Sequence, residues 1–182
     1  MTSVLLHLPR DVHEALWRHL LPSRAGAEEA AFVFARLTEA TVSRTFEYVE
    51  WFPVPPDGFA SHSRFHLELS DATRAAVIKR AHDLGASLIE FHSHDGPWPA
   101  GFSASDWAGF EEFVPHVWWR LRGRPYAAVV VASTGFDALV WLHAPDAPTR
   151  LDAIIVDGKH LEPTRRSPLQ RDGYKFDEQG TI

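Results

Sequence analysis

Three short apolar runs decide what this chain can fold into. Residues 30–37 (AAFVFARL), 86–92 (ASLIEFH) and 125–132 (PYAAVVVA) are rich in β-branched and aromatic side chains and follow breakers or turn residues. Runs of this length and makeup read as buried strands. A fold for this sequence must therefore place a sheet at its centre.

The segments between the runs supply the rest. Residues 9–21 carry Val12, Leu16 and Leu20 four apart, which predicts a short amphipathic helix. Residues 41–52 read as a second strand, ended by Pro53, Pro55, Pro56 and Gly58. Phe65, Leu67 and Leu69 alternate with polar neighbours, the pattern of a half-buried strand over 63–69. Ser70 or Asp71 can cap a helix that runs to about Leu84, where Gly85 suits its stop. Ser103 opens another, which Pro115 kinks or restarts before it continues to Leu121. Residues 125–132 and 136–142 suggest a hairpin around Thr134-Gly135, and 152–156 one more strand. The expected class is α/β in the α+β sense, one domain over residues 1–162 with a mixed, mostly antiparallel central sheet flanked by helices. Residues 163–182 are expected to form a loosely packed tail.

Composition narrows the function classes. The 182 residues suit one compact domain, and 45% hydrophobic with 23% charged residues predicts a globular fold rather than disorder. No cysteine is present, so disulfides, cysteine-ligated zinc and a cysteine nucleophile are excluded together. A formal net charge of −6 does not favour a nucleic-acid partner, and basic residues cluster only at Arg120, Arg122 and Arg124. No run approaches the roughly 20 apolar residues of a membrane span, and no basic segment leading into a long apolar run opens the sequence. A cytoplasmic location, without a membrane partner, is the expectation.

The segment that carries chemistry is His92-Ser93-His94 followed by Ser103 and Asp106. Two histidines one residue apart project the same way from a strand end and can grip one ion from one side. An acid in the first turn of the next helix completes two imidazoles and one carboxylate, the three-ligand set of catalytic zinc. Ser103-x-x-Asp106 also reads as a capping box. The two readings are compatible, because a capped helix start fixes Asp106 in place.

The spacing resembles the JAMM motif of MPN-domain metalloproteases, prokaryotic members included. That motif is His-x-His, eight residues, then Ser-x-x-Asp, and residues 95–102 supply the eight. The family also places a Glu ahead of an apolar strand. Glu28 matches it in register before Ala30–Ala35, with Ala31 and Ala35 standing where Gly is usual. The order of elements from about residue 4 to 157 is similar to an MPN core. The resemblance implies that His92, His94 and Asp106 hold Zn2+. It implies that Glu28 acts as general base, and that Ser103 donates a hydrogen bond to the developing oxyanion. It further implies hydrolysis at the C-terminus of a ubiquitin-like protein, as precursor processing or deconjugation. The substrate would then be a ubiquitin-like protein or its conjugate, with activating or conjugating enzymes of the same pathway as further partners. A non-catalytic MPN scaffold is the alternative.

The chain departs from the pattern at Asp95, where the family usually has Pro; this carboxylate either faces the metal or faces solvent. Glu29 rivals Glu28 by one residue, and only one of the two can face the site. Glu90, two before His92 on the same face, either orients a ligand or is an ordinary strand-end charge. The remaining histidines show no metal spacing. Other metallohydrolase patterns fail: Pro97 breaks the HxHxDH of metallo-β-lactamases, the chain is short for an amidohydrolase barrel, and a nucleoside deaminase needs cysteine ligands.

Overall fold

The computed structural model describes residues 2–22, 26–63 and 66–170. Its elements run β1 Ser3–Leu8, α1 Arg10–Leu20, β2 Ala30–Glu39, β3 Ser43–Pro53, β4 Phe59–His62, β5 Leu67–Leu69, α2 Asp71–Leu84 and β6 Ser87–Ser93. They continue with α3 Ala104–Arg120, β7 Tyr126–Ala132, β8 Gly135–Trp141, β9 Thr149–Arg150, β10 Ala153–Val156 and β11 Lys159–Leu161. The mixed α+β class expected from sequence is what the chain adopts.

Nine strands form one sheet in the order β11-β10-β1-β3-β2-β6-β7-β8-β9, and β4 and β5 pair separately. Most neighbours are antiparallel; β1 lies parallel to both β3 and β10, and β6 lies parallel to β7. The apolar runs at 30–37, 86–92 and 125–132 become the adjacent central strands β2, β6 and β7. Alternation along each strand then sends successive residues to opposite faces. Phe32, Phe34, Leu88, Tyr126 and Ala128 pack beneath α2 and α3. Ala31, Val33, Ile89, Phe91, Ala127 and Val129 pack beneath Leu16 and Leu20 of α1. The domain thus has three layers, helices on both faces of a sheet.

Local signals act as the sequence suggested. The Ser70 hydroxyl accepts from the Thr73 N–H at the start of α2, and Gly85 closes the helix with φ 62°, in the left-handed region that favours glycine. Pro115 does not interrupt α3, which runs unbroken from Ala104 to Arg120. Of the strand expected over 63–69, Leu67–Leu69 forms as β5, and residues 64 and 65, Phe65 among them, lie outside the described residues. Strands β1, β4, β9 and β11 have no counterpart in the sequence reading.

The segment after β11 differs from expectation. Residues 163–167 are not loose but strapped across the domain. Asp137, fully buried, accepts from the Arg165 N–H at 3.2 Å and the Ser167 N–H at 2.7 Å. The Thr164 N–H donates to the Phe136 carbonyl. Few apolar residues are needed there, because backbone hydrogen bonds to one buried carboxylate do the holding. Residues 171–182 of the expected tail lie outside the described residues. Among the described residues no helix is long and apolar enough to cross a membrane.

Candidate metal centre

Strand β6 sends Leu88, Glu90 and His92 toward α2 and α3, and His94 follows on the same side. The loop 94–103 then turns the chain back so that α3 begins beside them. Ser103 caps α3: its hydroxyl accepts from the Asp106 N–H at 3.2 Å, and the Asp106 carboxylate accepts from the Ser103 N–H at 2.6 Å. This is the reciprocal capping box read from sequence. The box fixes Asp106 against the histidines. Its Oδ1 lies 3.4 Å from His92 Nε2 and its Oδ2 lies 3.2 Å from His94 Nε2.

One ligand atom from each of His92, His94 and Asp106 lies within 4.8 Å of the others, a group able to hold a metal ion. Asp95 is not part of it. Two features fit a cation. His92 Nε2 is buried and makes no hydrogen bond, with only the Asp106 charge 3.4 Å away, and a buried polar atom without a hydrogen bond needs a reason. The donor set, two imidazoles and one carboxylate, is that of catalytic zinc.

The surroundings hold His92 in one orientation. Glu90 Oε1 lies 3.6 Å from His92 Nδ1, and the buried Tyr126 hydroxyl donates to Glu90 Oε2 at 2.5 Å. Glu90 is thus not a loose strand-end charge: it is held by Tyr126 and sets its carboxylate against the Nδ1 side of His92. Burial alone would lower the His92 pKa, but Asp106 and then Glu90 outweigh it and push the imidazole up to about 10. Burial likewise raises Asp106, yet the adjacent His92 and His94 hold it well below the usual carboxylate range. Burial and the Glu90 charge together raise Tyr126 well above its ordinary value, so its proton stays on the hydroxyl. A field that favours a proton on His92 also favours a divalent cation between these groups.

The pairing register separates the two upstream glutamates. Ala30 lies opposite His92 in the antiparallel β2–β6 pair. The pairing continues outward: the Ser93 N–H donates to the Glu29 carbonyl, and the Glu29 N–H donates to Ser93 Oγ, both at 2.9 Å. Counting on from Ala30–His92 sets Glu28 opposite His94, on the ligands' face, and Glu29 on the other. Burial raises the Glu28 pKa, partly opposed by the charges of His94 and His92. The Glu28 carbonyl accepts from His62 Nε2, and the His62 ring stacks on Phe59 with centroids 4.1 Å apart.

His62 and Tyr126 were not identified from sequence. Strand alternation puts Tyr126 and Glu90 on one face only once β6 and β7 are known to pair in parallel, and no local signal gives that. Ser167 was missed too: its Oγ accepts from the Phe102 N–H at 2.8 Å, one residue before the Ser103 cap.

No protein-family model matches the chain. No curated protein matches it. Among solved structures, the solution structure of a protein from Salinibacter ruber (strain DSM 13855) is similar, with a TM-score of 0.40 and 17% identity. The match covers 93% of this chain and 96% of that one.

Proposed function

We propose that the chain is a zinc-dependent peptidase of the JAMM type, cleaving a peptide or isopeptide bond at the C-terminus of a ubiquitin-like protein. The observation that carries the metal part is the His92–His94–Asp106 group, with His92 Nε2 buried and making no hydrogen bond. The substrate class rests on the resemblance of His92-x-His94, Ser103-x-x-Asp106 and Glu28 to the JAMM motif. An MPN core is the finer form of the α+β fold that this reading requires.

Zinc at this position would supply a Lewis acid and make water acidic near neutral pH. The chain's own residues do the rest. Glu28 faces the ligands from the β2 side, and a half-buried carboxylate of raised pKa is suited to taking a proton from water and passing it to the leaving amine. Ser103 Oγ donates to Asp106 Oδ2 at 2.9 Å; turned toward a substrate carbonyl, the same hydroxyl becomes an oxyanion donor. Glu90, held by Tyr126, fixes the His92 ring, and His62 fixes the backbone of Glu28.

The test is incubation of purified protein with a set of ubiquitin-like proteins bearing a C-terminal extension. Release of the extension, its loss on chelation and its return with added zinc are expected. If no extension is released and the protein binds no zinc, the enzyme reading fails and the non-catalytic scaffold remains.

A further inference from the structure

The Arg120–Arg124 cluster of the sequence has no part in the metal centre. Asp106 stands in the first turn of α3; Trp119 and Arg120 stand in its last. There, between α2 and α3, lies a groove of about 620 Å³. Ala75 and Ile78 of α2 line it together with His116, Trp119, Arg120 and Arg122. Lys79 and His82 complete its α2 side.

Three observations mark this groove out. Trp119 is 71% exposed, and the Arg120 guanidinium lies over its ring, 4.9 Å from the centroid. Tryptophan and arginine are the residues that most often anchor an interface. Second, the charge is segregated. The chain carries −6 overall, yet the charged side chains lining the groove are cationic. Lys79 is paired with Asp83 at 2.5 Å, and Arg74 with Glu112 at 3.5 Å. Among the described residues neither Arg120 nor Arg122 has a carboxylate partner. Third, Arg122 has φ 57°, a left-handed conformation that glycine adopts freely and arginine does not. Gly123 follows at φ 76°, so a glycine-based turn was within reach one residue earlier. The turn places the Arg122 side chain among those lining the groove.

We propose that this groove docks an acidic segment of a partner protein, which seats an apolar side chain against Trp119 and Ala75 and sets its carboxylates against Arg120 and Arg122. The guanidinium fork matches a carboxylate in two parallel hydrogen bonds. Trp119 offers a flat, rigid wall at small entropic cost. A nucleic acid fits less well: the chain carries −6 overall, and two unpaired arginines make a patch rather than a stripe. The site is independent of the peptidase reading, because it shares no residue with the metal centre.

The test uses the full chain and a panel of fluorescein-labelled peptides of about twelve residues, each with Asp and Glu flanking one Leu, Ile or Phe. Fluorescence anisotropy reads binding. At least one peptide is expected to bind, more weakly as salt rises. Its affinity should fall about tenfold or more with Trp119→Ala and with Arg120→Glu plus Arg122→Glu. Amidating its acids or replacing its apolar residue by Ser should weaken it comparably. Zinc content and circular dichroism of both variants should match the parent, which separates lost docking from lost folding. The proposal is overturned if no panel member binds, or if the variants leave binding unchanged. Equal binding of an oligonucleotide of matching charge overturns it. So does a dimer in sedimentation that Trp119→Ala dissolves, which would make a second copy the occupant.

Discussion

The two faces of the central strands are built on opposite terms. Toward α1, β6, β7 and β8 present Ile89, Phe91, Ala127, Val129, Val131, Phe136, Ala138 and Val140, with two small hydroxyls, Ser87 and Ser93, at the ends of β6 and no ionisable group. Toward α2 and α3 the same strands present Glu90, His92, Tyr126 and Asp137 among their apolar neighbours, with the last three buried. Burying such groups is unfavourable unless each is hydrogen-bonded or ion-paired. Asp137 meets that condition through the backbone N–H groups of Ala138, Arg165 and Ser167. Tyr126 and Glu90 meet it through each other. His92 meets it through charge alone, with Asp106 Oδ1 3.4 Å from its Nε2 and no hydrogen bond at that atom. The α1 face is therefore held by apolar packing, and the other face carries an ionic network in which the candidate ligand group stands.

This contrast breaks most visibly at the ligands. Purified protein should hold about one zinc per chain, and His92→Ala with His94→Ala should hold none. Stoichiometric metal in the double variant would move the site elsewhere and leave the polar face unexplained.

Next in size is the base. Glu28→Gln should keep zinc and fold while slowing cleavage by about 10²–10⁴-fold. Glu29→Gln, on the opposite face, should cleave like the parent. Cleavage rate and zinc content measured side by side decide this: a dead Glu29→Gln would put the register counted from Ala30–His92 wrong by one residue.

A third pair sets face against face. Phe91 is fully buried on the α1 side, and Phe91→Ala should cost about 3–5 kcal/mol of stability with zinc per folded chain unchanged. Tyr126→Phe removes only the hydroxyl that holds Glu90. It should weaken zinc binding by about 10–100-fold, with a stability loss nearer about 1 kcal/mol. If denaturation and zinc titration show both variants losing both properties in proportion, the two faces are not functionally distinct.

What the sequence made legible follows from range. The caps at Ser70, Gly85 and Ser103, the amphipathic spacing of α1 and the strand ending in His92-x-His94 are local, set within a few residues. The ligand group was legible for the same reason: strand, loop and capped helix are consecutive. Long-range pairing was not. β1 pairs in parallel with β10, so that Leu5 meets Ala153, and no local pattern reports a partner that distant. The Tyr126–Glu90 contact depends on such pairing. The segment 163–167 misled because its anchoring is polar and backbone-based, whereas apolar content was the cue for packing.

That segment supplies the smallest and sharpest test. Ser167 is buried and links two regions: its N–H donates to Asp137 Oδ2 and its Oγ accepts from the Phe102 N–H. Thr164 Oγ1 adds a hydrogen bond to the Ala100 carbonyl at 2.6 Å. The loop from His94 to Ser103 is thus braced from outside, by residues that follow the last strand. Ser167→Ala keeps the bond to Asp137 and deletes only the acceptor for Phe102. Leaving one buried N–H unpaired should cost about 1–3 kcal/mol. Because Phe102 directly precedes the Ser103 cap, zinc affinity should fall with stability, though by less than in Tyr126→Phe. Thermal unfolding with and without chelator separates the two effects. A stability loss equal in both conditions would mean that the strap closes the domain and does nothing for the metal. A loss larger without chelator would mean that it also holds Asp106 where the histidines need it.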